Sequence, residues 1–181
     1  MFQKLFGFGQ RSRRVVIDAL YERIVAASRQ PVFYADWQVP DTPLGRFEMI
    51  AVHMILFLRR LREEPGTARD VAQEVTDVFF RDVEHAIREL GIGDLGVPKR
   101  IKKLARMFYG RAATYSEAID AGDADALAQA LARNVKPDLA DWDGAAPIAA
   151  YALKAADALA SQPLERLLAA DISFPTANAE D

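Results

Sequence analysis

The sequence contains no cysteine among its 181 residues and only two histidines. Disulfides, thiolate metal sites and thiol nucleophiles are therefore excluded, and the chain fits a reducing compartment. Long apolar runs are also missing. The longest, Met49 to Leu58, has ten residues and is interrupted by His53. That is about half of what a bilayer requires, so it reads as a buried core helix. The opening residues have neither the apolar stretch nor the small-residue cleavage site of a signal peptide. No segment alternates with the period of a strand, no internal repeat occurs, and no linker is long enough to separate two domains.

What remains is helical periodicity almost throughout, in a chain that is 51% hydrophobic and 27% charged. Length and composition suit one soluble domain with a sizeable core. The expected class is all-α, a compact single-domain helical bundle of about six to seven helices. Residues 1–14 form a basic and aromatic N-terminal segment, residues 15–170 the helical domain, and residues 171–181 a polar tail expected to be disordered.

A first helix is expected over roughly residues 13–28, stopped by Pro31. A connection rich in proline and aromatics follows. Asp41-Thr42-Pro43 opens a second helix, with a polar cap and proline in the first turn. Leu44, Phe47, Ala51, Met54, Leu58 and Leu61 recur three and four apart along it, and Ile50, Val52, Ile55 and Phe57 cover most of the remaining circumference. This helix is expected to be central. After Pro65-Gly66, Thr67 is expected to cap a helix striped by Val71, Val75, Val78, Phe79, Val83, Ala86, Ile87 and Leu90, closed at Gly91. Three shorter, alanine-rich helices are expected after Gly122.

Charge is unevenly spread. Residues 1–111 carry 19 basic against 14 acidic side chains, and residues 112–181 carry 4 against 12, a balance of +5 against −8. Either two faces have different tasks or the acidic helices keep the C-terminal part soluble. The basic excess peaks in a helix opened by Pro98. Lys99, Lys102, Lys103 and Arg106 fall at i, i+3, i+4 and i+7 and share one face, while Ile101, Leu104, Ala105 and Phe108 form its buried side. The ridge is an ordinary solvated face, a docking surface for anionic lipid, or a contact for RNA phosphates, including ribosomal RNA. A second cluster, Arg59, Arg60 and Arg62, ends the central helix. The N-terminal segment, with Phe2, Leu5, Phe6 and Phe8 among Lys4, Arg11, Arg13 and Arg14, has the composition of an interfacial anchor or of a frayed terminus packed on the body.

Signals for bond-making chemistry are weak. Asp82 and His85 supply one carboxylate-x-x-histidine pair, half of what a di-metal bundle site needs. No Gly-x-Ser-x-Gly is present, and Gly91, Gly93 and Gly96 follow a helix rather than a strand, so they read as an inter-helix turn. His53 sits in an apolar helix, as a core histidine or facing an internal pocket. No catalytic residue, cofactor or metal is expected.

Several pieces in order carry a family resemblance: Pro31 to Tyr34; Asp41-Thr42 with Gly45-Arg46-Phe47-Glu48; His53; Leu58 to Arg62; Phe79 to Asp82; Gly91 to Asp94 followed by Pro98-Lys99; and Phe108 to Arg111 with Tyr115. Over about residues 31–133 the chain resembles the ubiquinol–cytochrome c chaperone family, which assists assembly of the cytochrome b subunit of respiratory complex III. The resemblance implies a non-enzymatic assembly factor with newly made cytochrome b as client and a small helper protein as a further partner. No mitochondrial transit peptide is expected from the opening residues, and the Ala/Arg/Asp-rich composition looks bacterial. The implied location is the cytoplasm, peripheral to the inner face of the inner membrane. Docking on an anionic membrane surface or the ribosome would fall to the basic ridge, and DNA is not expected as a partner. Client binding would fall to an apolar surface drawn from Phe33, Tyr34, Trp37, Phe108 and Tyr109, at least half of which are expected in the core. The alternatives are a bundle enzyme or carrier for an isoprenoid or quinone beside His53, and a generic protein-binding adaptor.

Overall fold

The computed structural model describes residues 3–91, 93, 95–139 and 141–178, with side chains from residue 12 onward. The described residues form eight helices and no strand: α1 (Gln3–Ser28), α2 (Pro31–Ala35), α3 (Pro43–Leu61), α4 (Thr67–Glu89), α5 (Val97–Ala121), α6 (Ala124–Val135), α7 (Ala145–Ala160) and α8 (Leu164–Leu168). The all-α reading holds. α1 begins ten residues earlier than its apolar pattern suggests, and the connection after Pro31 contains the short helix α2.

α3 is the hub. It packs against α1, α4, α5, α6 and α7, as its nearly all-round apolar surface requires. Thr42 caps it, its Oγ1 accepting a hydrogen bond from the Gly45 amide at 3.1 Å. Asp123 caps α6 in the same way through Ala126 N at 2.9 Å. The expected cap at Thr67 is not made. Thr67 is itself the first helical residue, and Gly66, at φ 67°, precedes it without a side-chain cap.

The apolar stripe of α4 thins toward its end. Val71, Val75, Phe79 and Ile87 are buried, Val78 and Val83 half-buried, and Ala86 and Leu90 exposed. The first turns of α5 are covered to a similar degree. Val97 at the start of α5 is buried but, like Ile87, lies outside the main core; Ile101, Leu104 and Ala105 are half-buried, and at Phe108 the helix joins that core. The adjoining ends of α4 and α5 therefore stand apart from the main core, with Leu90 and Leu95 exposed.

The C-terminal tail departs from expectation. Residues 171–178 lie on the body rather than in solvent, with Ile172 and Ala177 buried. Two glutamines hold this extended segment by standing in for a partner strand. Gln162 accepts from Ser173 N (3.0 Å) and donates to Ser173 O (2.8 Å). Gln30 accepts from Ala177 N (2.8 Å) and donates to Pro175 O (3.2 Å). A glutamine amide matches a peptide group donor for acceptor, a signal that apolar periodicity does not register.

The loop before α7 is fixed by aromatic packing. Trp142 Nε1 donates to the Trp37 carbonyl at 3.0 Å, and Gly144 lies so close that a Cβ there would collide with the same carbonyl oxygen and with the Trp142 indole. Gly144→Ala should therefore destabilise the fold by about 1–3 kcal/mol, a fall in Tm of roughly 3–10 °C by calorimetry. An unchanged Tm would mean that the loop relaxes at no cost.

Candidate functional site

α5 carries opposite faces of opposite character. Phe108, Arg111 and Tyr115, spaced i, i+3 and i+7, point into the bundle and are buried. Lys99, Lys102, Lys103 and Arg106 point out, all exposed, with Arg100 beside them. None of these five cations pairs with a described carboxylate. The ridge read from the sequence is thus a free cationic surface, roughly 10 Å long at helical rise.

One buried contact sets that orientation. The Arg111 guanidinium donates twice to the Glu48 carboxylate of α3, Nε to Oε2 and Nη2 to Oε1, both at 2.6 Å. Glu48 and Arg111 are 1% and 7% exposed. Burial pushes the Glu48 carboxyl up to about 7, against the pull of Arg111. Tyr115 lies within the field of the pair, and burial raises its phenol pKa first, with Glu48 adding to it. Its hydroxyl accepts from Asn134 of α6 at 3.0 Å. Rotating α5 by one residue would carry Arg111 about 100° away from Glu48, so the pair and the ridge share one rotational setting.

The second basic cluster is not a free surface. Arg59 and Arg62 both bind Asp120 at the far end of α5, at 2.6 and 2.9 Å. Arg60 donates to Glu64 Oε1 and to the carbonyls of Leu159 and Gln162. These cations tie α3 to α5 and cap the end of α7. Their partners are distant in sequence, which is why a local reading takes them for a patch.

The aromatic client-binding candidates also separate. Phe33 (0% exposed), Trp37 (4%) and Phe108 (0%) are core residues, so the expectation that they form a surface is corrected. Phe33 stacks edge-on against Tyr151 and against His53, and Phe108 packs on Phe79 and Phe80. Tyr34 is half-buried, and its hydroxyl donates to Ser28 O at 3.0 Å. Tyr109 alone remains open, 59% exposed, beside half-buried Phe80. The apolar side chains of the N-terminal segment, Phe2, Leu5, Phe6 and Phe8, lie outside the described residues. Of its cations, Arg13 is engaged by Glu74 at 2.8 Å and Arg14 by Asp18 at 3.8 Å.

His53 is fully buried and fully used. Nδ1 meets the Met49 carbonyl at 2.8 Å, which only accepts, so Nδ1 carries the proton. Nε2 then accepts from the Tyr151 hydroxyl at 2.9 Å. Tyr151 in turn accepts from Gln30 at 3.4 Å, linking the core histidine to the tail. Phe33, Tyr151 and Phe174 pack around the imidazole with ring centroids 5.2–5.6 Å away. Burial lowers its pKa to about 4, so it is neutral at physiological pH. Both ring nitrogens and the ring faces are taken by protein groups, which argues against a ligand pocket there. Asp82 and His85 have different partners. Asp82 accepts from the Tyr21 hydroxyl at 2.8 Å, and exposed His85 faces Glu89 at 3.5 Å.

Breaking a buried pair from one side leaves the other group without its partner and costs up to about 3–5 kcal/mol, while replacing both partners by apolar groups is far milder. Arg111→Met should lower Tm by about 10 °C, and Glu48→Leu with Arg111→Met should recover most of that loss. A double variant as unstable as the two single losses combined would contradict a pair whose role is orientation.

The pH dependence follows from the raised carboxyl. The folded state binds a proton that the unfolded state releases between pH 4.5 and about 7. Glu48's contribution to stability therefore falls as pH rises through that window. His53 works in the opposite sense, its contribution being lost as pH falls from 6.5 toward about 4, and it is common to both proteins compared. The Tm of wild type minus that of Glu48→Gln should fall as pH rises from 4.5 to about 7. A difference independent of pH would refute the shift.

Residues 35–174 match the protein family described as ubiquinol-cytochrome C chaperone. The crystal structure of the Cbp3 homolog from Brucella abortus is similar with a TM-score of 0.90 and 50% sequence identity, covering 99% of this chain and 98% of that one. No curated protein matches the sequence.

Proposed function

The chain belongs to the ubiquinol–cytochrome c chaperone family, and from that premise we propose that it is a non-enzymatic assembly factor of respiratory complex III that holds newly made cytochrome b. The observation that carries the reading is 50% identity to the Cbp3 homolog along nearly the whole of both chains.

The arrangement of α5 supports the same reading. A soluble factor serving a membrane protein needs a means of staying near the site of insertion. Among the described residues no helix is long and apolar enough to cross a membrane. A peripheral attachment at the inner face of the inner membrane is what the free ridge Lys99, Lys102, Lys103 and Arg106 would provide, on lipid or at the ribosome. The client contact centres on Tyr109 and its neighbour Phe80, the part of the aromatic set that remains accessible. A small helper protein would complete the assembly. The reading as an isoprenoid or quinone enzyme loses its support where the hydrogen bonds and aromatic packing of His53 are complete. A generic adaptor would bind protein without attachment to a membrane or ribosome.

A tagged chain recovered from detergent-solubilised membranes of the native host should bring down cytochrome b without the other subunits of mature complex III. Recovery of no cytochrome b, from cells actively making the complex, would overturn the client assignment.

A further inference from the structure

The α4–α5 turn combines two features that the docking reading does not itself require. Leu95 is 100% exposed and Leu90 58% exposed. They flank the α4–α5 turn, with Lys99 four residues and Arg106 eleven residues beyond Leu95. Single exposed leucines are ordinary. Two at one hairpin end, bordered by Lys99, Arg100, Lys102, Lys103 and Arg106, make a compact amphipathic element. The nearest described acids on α4 are already engaged, Glu84 by Arg88 at 2.8 Å and Glu89 facing His85 at 3.5 Å. Asp94 lies outside the described residues.

We propose that this tip inserts into an anionic bilayer surface, with Leu90 and Leu95 entering the headgroup–acyl boundary and the α5 cations resting on lipid phosphates. The assignment rests on the docking part of the function above and commits it to lipid. Charge complementarity selects an anionic partner, and the leucines select among anionic partners. RNA phosphates would reward the cations but give a solvent-exposed leucine nothing to enter. A membrane interface rewards both, through electrostatic attraction and through burial of apolar area. The geometry is also suitable. Gly91, Gly93 and residues 98–100 are exposed along with the two leucines, so this end of the hairpin is open to a surface. Arg111, held by Glu48, keeps the cations turned outward at the same time.

The absence of cysteine makes the test direct. Leu95→Cys in the full chain, labelled with an environment-sensitive NBD dye, reports the polarity at the tip. Ala121→Cys, exposed at the other end of α5 and roughly 36 Å along the helix, is the control position. Each is mixed with vesicles of phosphatidylcholine alone or with about one-third phosphatidylglycerol, a composition chosen for its surface charge. The dye at position 95 should brighten and shift to the blue on anionic vesicles only, and the dye at 121 should not change. Lys102→Glu with Lys103→Glu should weaken co-sedimentation with those vesicles at least about tenfold, more so at low salt. Leu95→Ser should weaken it about five- to tenfold. All four positions are exposed, so folding is not at issue.

A water-exposed signal from position 95 on bound protein, or binding indifferent to Leu95→Ser, would overturn insertion. Failure to sediment with anionic vesicles, combined with salt-sensitive binding to ribosomes, would give the ridge to RNA and overturn the lipid assignment. Either outcome leaves the cytochrome b reading standing, because the detergent pull-down does not depend on vesicle binding.

Discussion

The buried pair between Glu48 and Arg111 is the contact on which the functional geometry depends. A two-fold hydrogen bond between charged groups is directional in a way that apolar packing is not. Leu104, Phe108 and Tyr115 would tolerate a small rotation of α5, because a hydrophobic surface is rewarded by area rather than by angle. The guanidinium and the carboxylate, both out of water, do not tolerate it. Their net contribution to stability is modest once desolvation is counted. Their contribution to specificity is large: one rotational setting of α5 against α3, and hence one outward direction for the ridge.

The same division of labour recurs at two other places. Asp120 gathers Arg59 and Arg62 and fixes the far end of α5. The series Met49, His53, Tyr151 and Gln30 runs from the centre of α3 through α7 to the tail, each group donating or accepting in turn. Apolar packing brings the helices together, and three polar links set how they meet. These links use many of the residues by which the sequence resembles its family, including Glu48, His53, Arg59 and Arg111. Those motif positions are structural in this chain. They preserve the shape that displays a surface, and the surface itself is carried elsewhere.

Periodicity was sufficient for the fold class, for the centrality of α3, and for the face of α5 that bears cations, since each depends on spacing within one helix. What escaped it involves partners far apart in sequence. Arg59, Arg60 and Arg62 look like a patch until Asp120, Glu64 and the end of α7 are placed beside them. Phe33, Trp37 and Phe108 look available until α7 and α4 cover them. The tail from Asp171 looks disordered because it is short and polar, and the glutamines that hold it belong to other elements. Glu48 and Arg111 are 63 positions apart, and nothing in either neighbourhood announces the other.

A chaperone that sustains a single client pathway should leave a narrow defect when it is missing. The most direct measurement is the level of assembled complex III and its cytochrome b haem absorbance in a strain of the native host lacking this chain, with and without the gene restored. Loss of both, with the other respiratory complexes intact and recovery on complementation, is the predicted result. Normal complex III in the deletion strain would contradict the account.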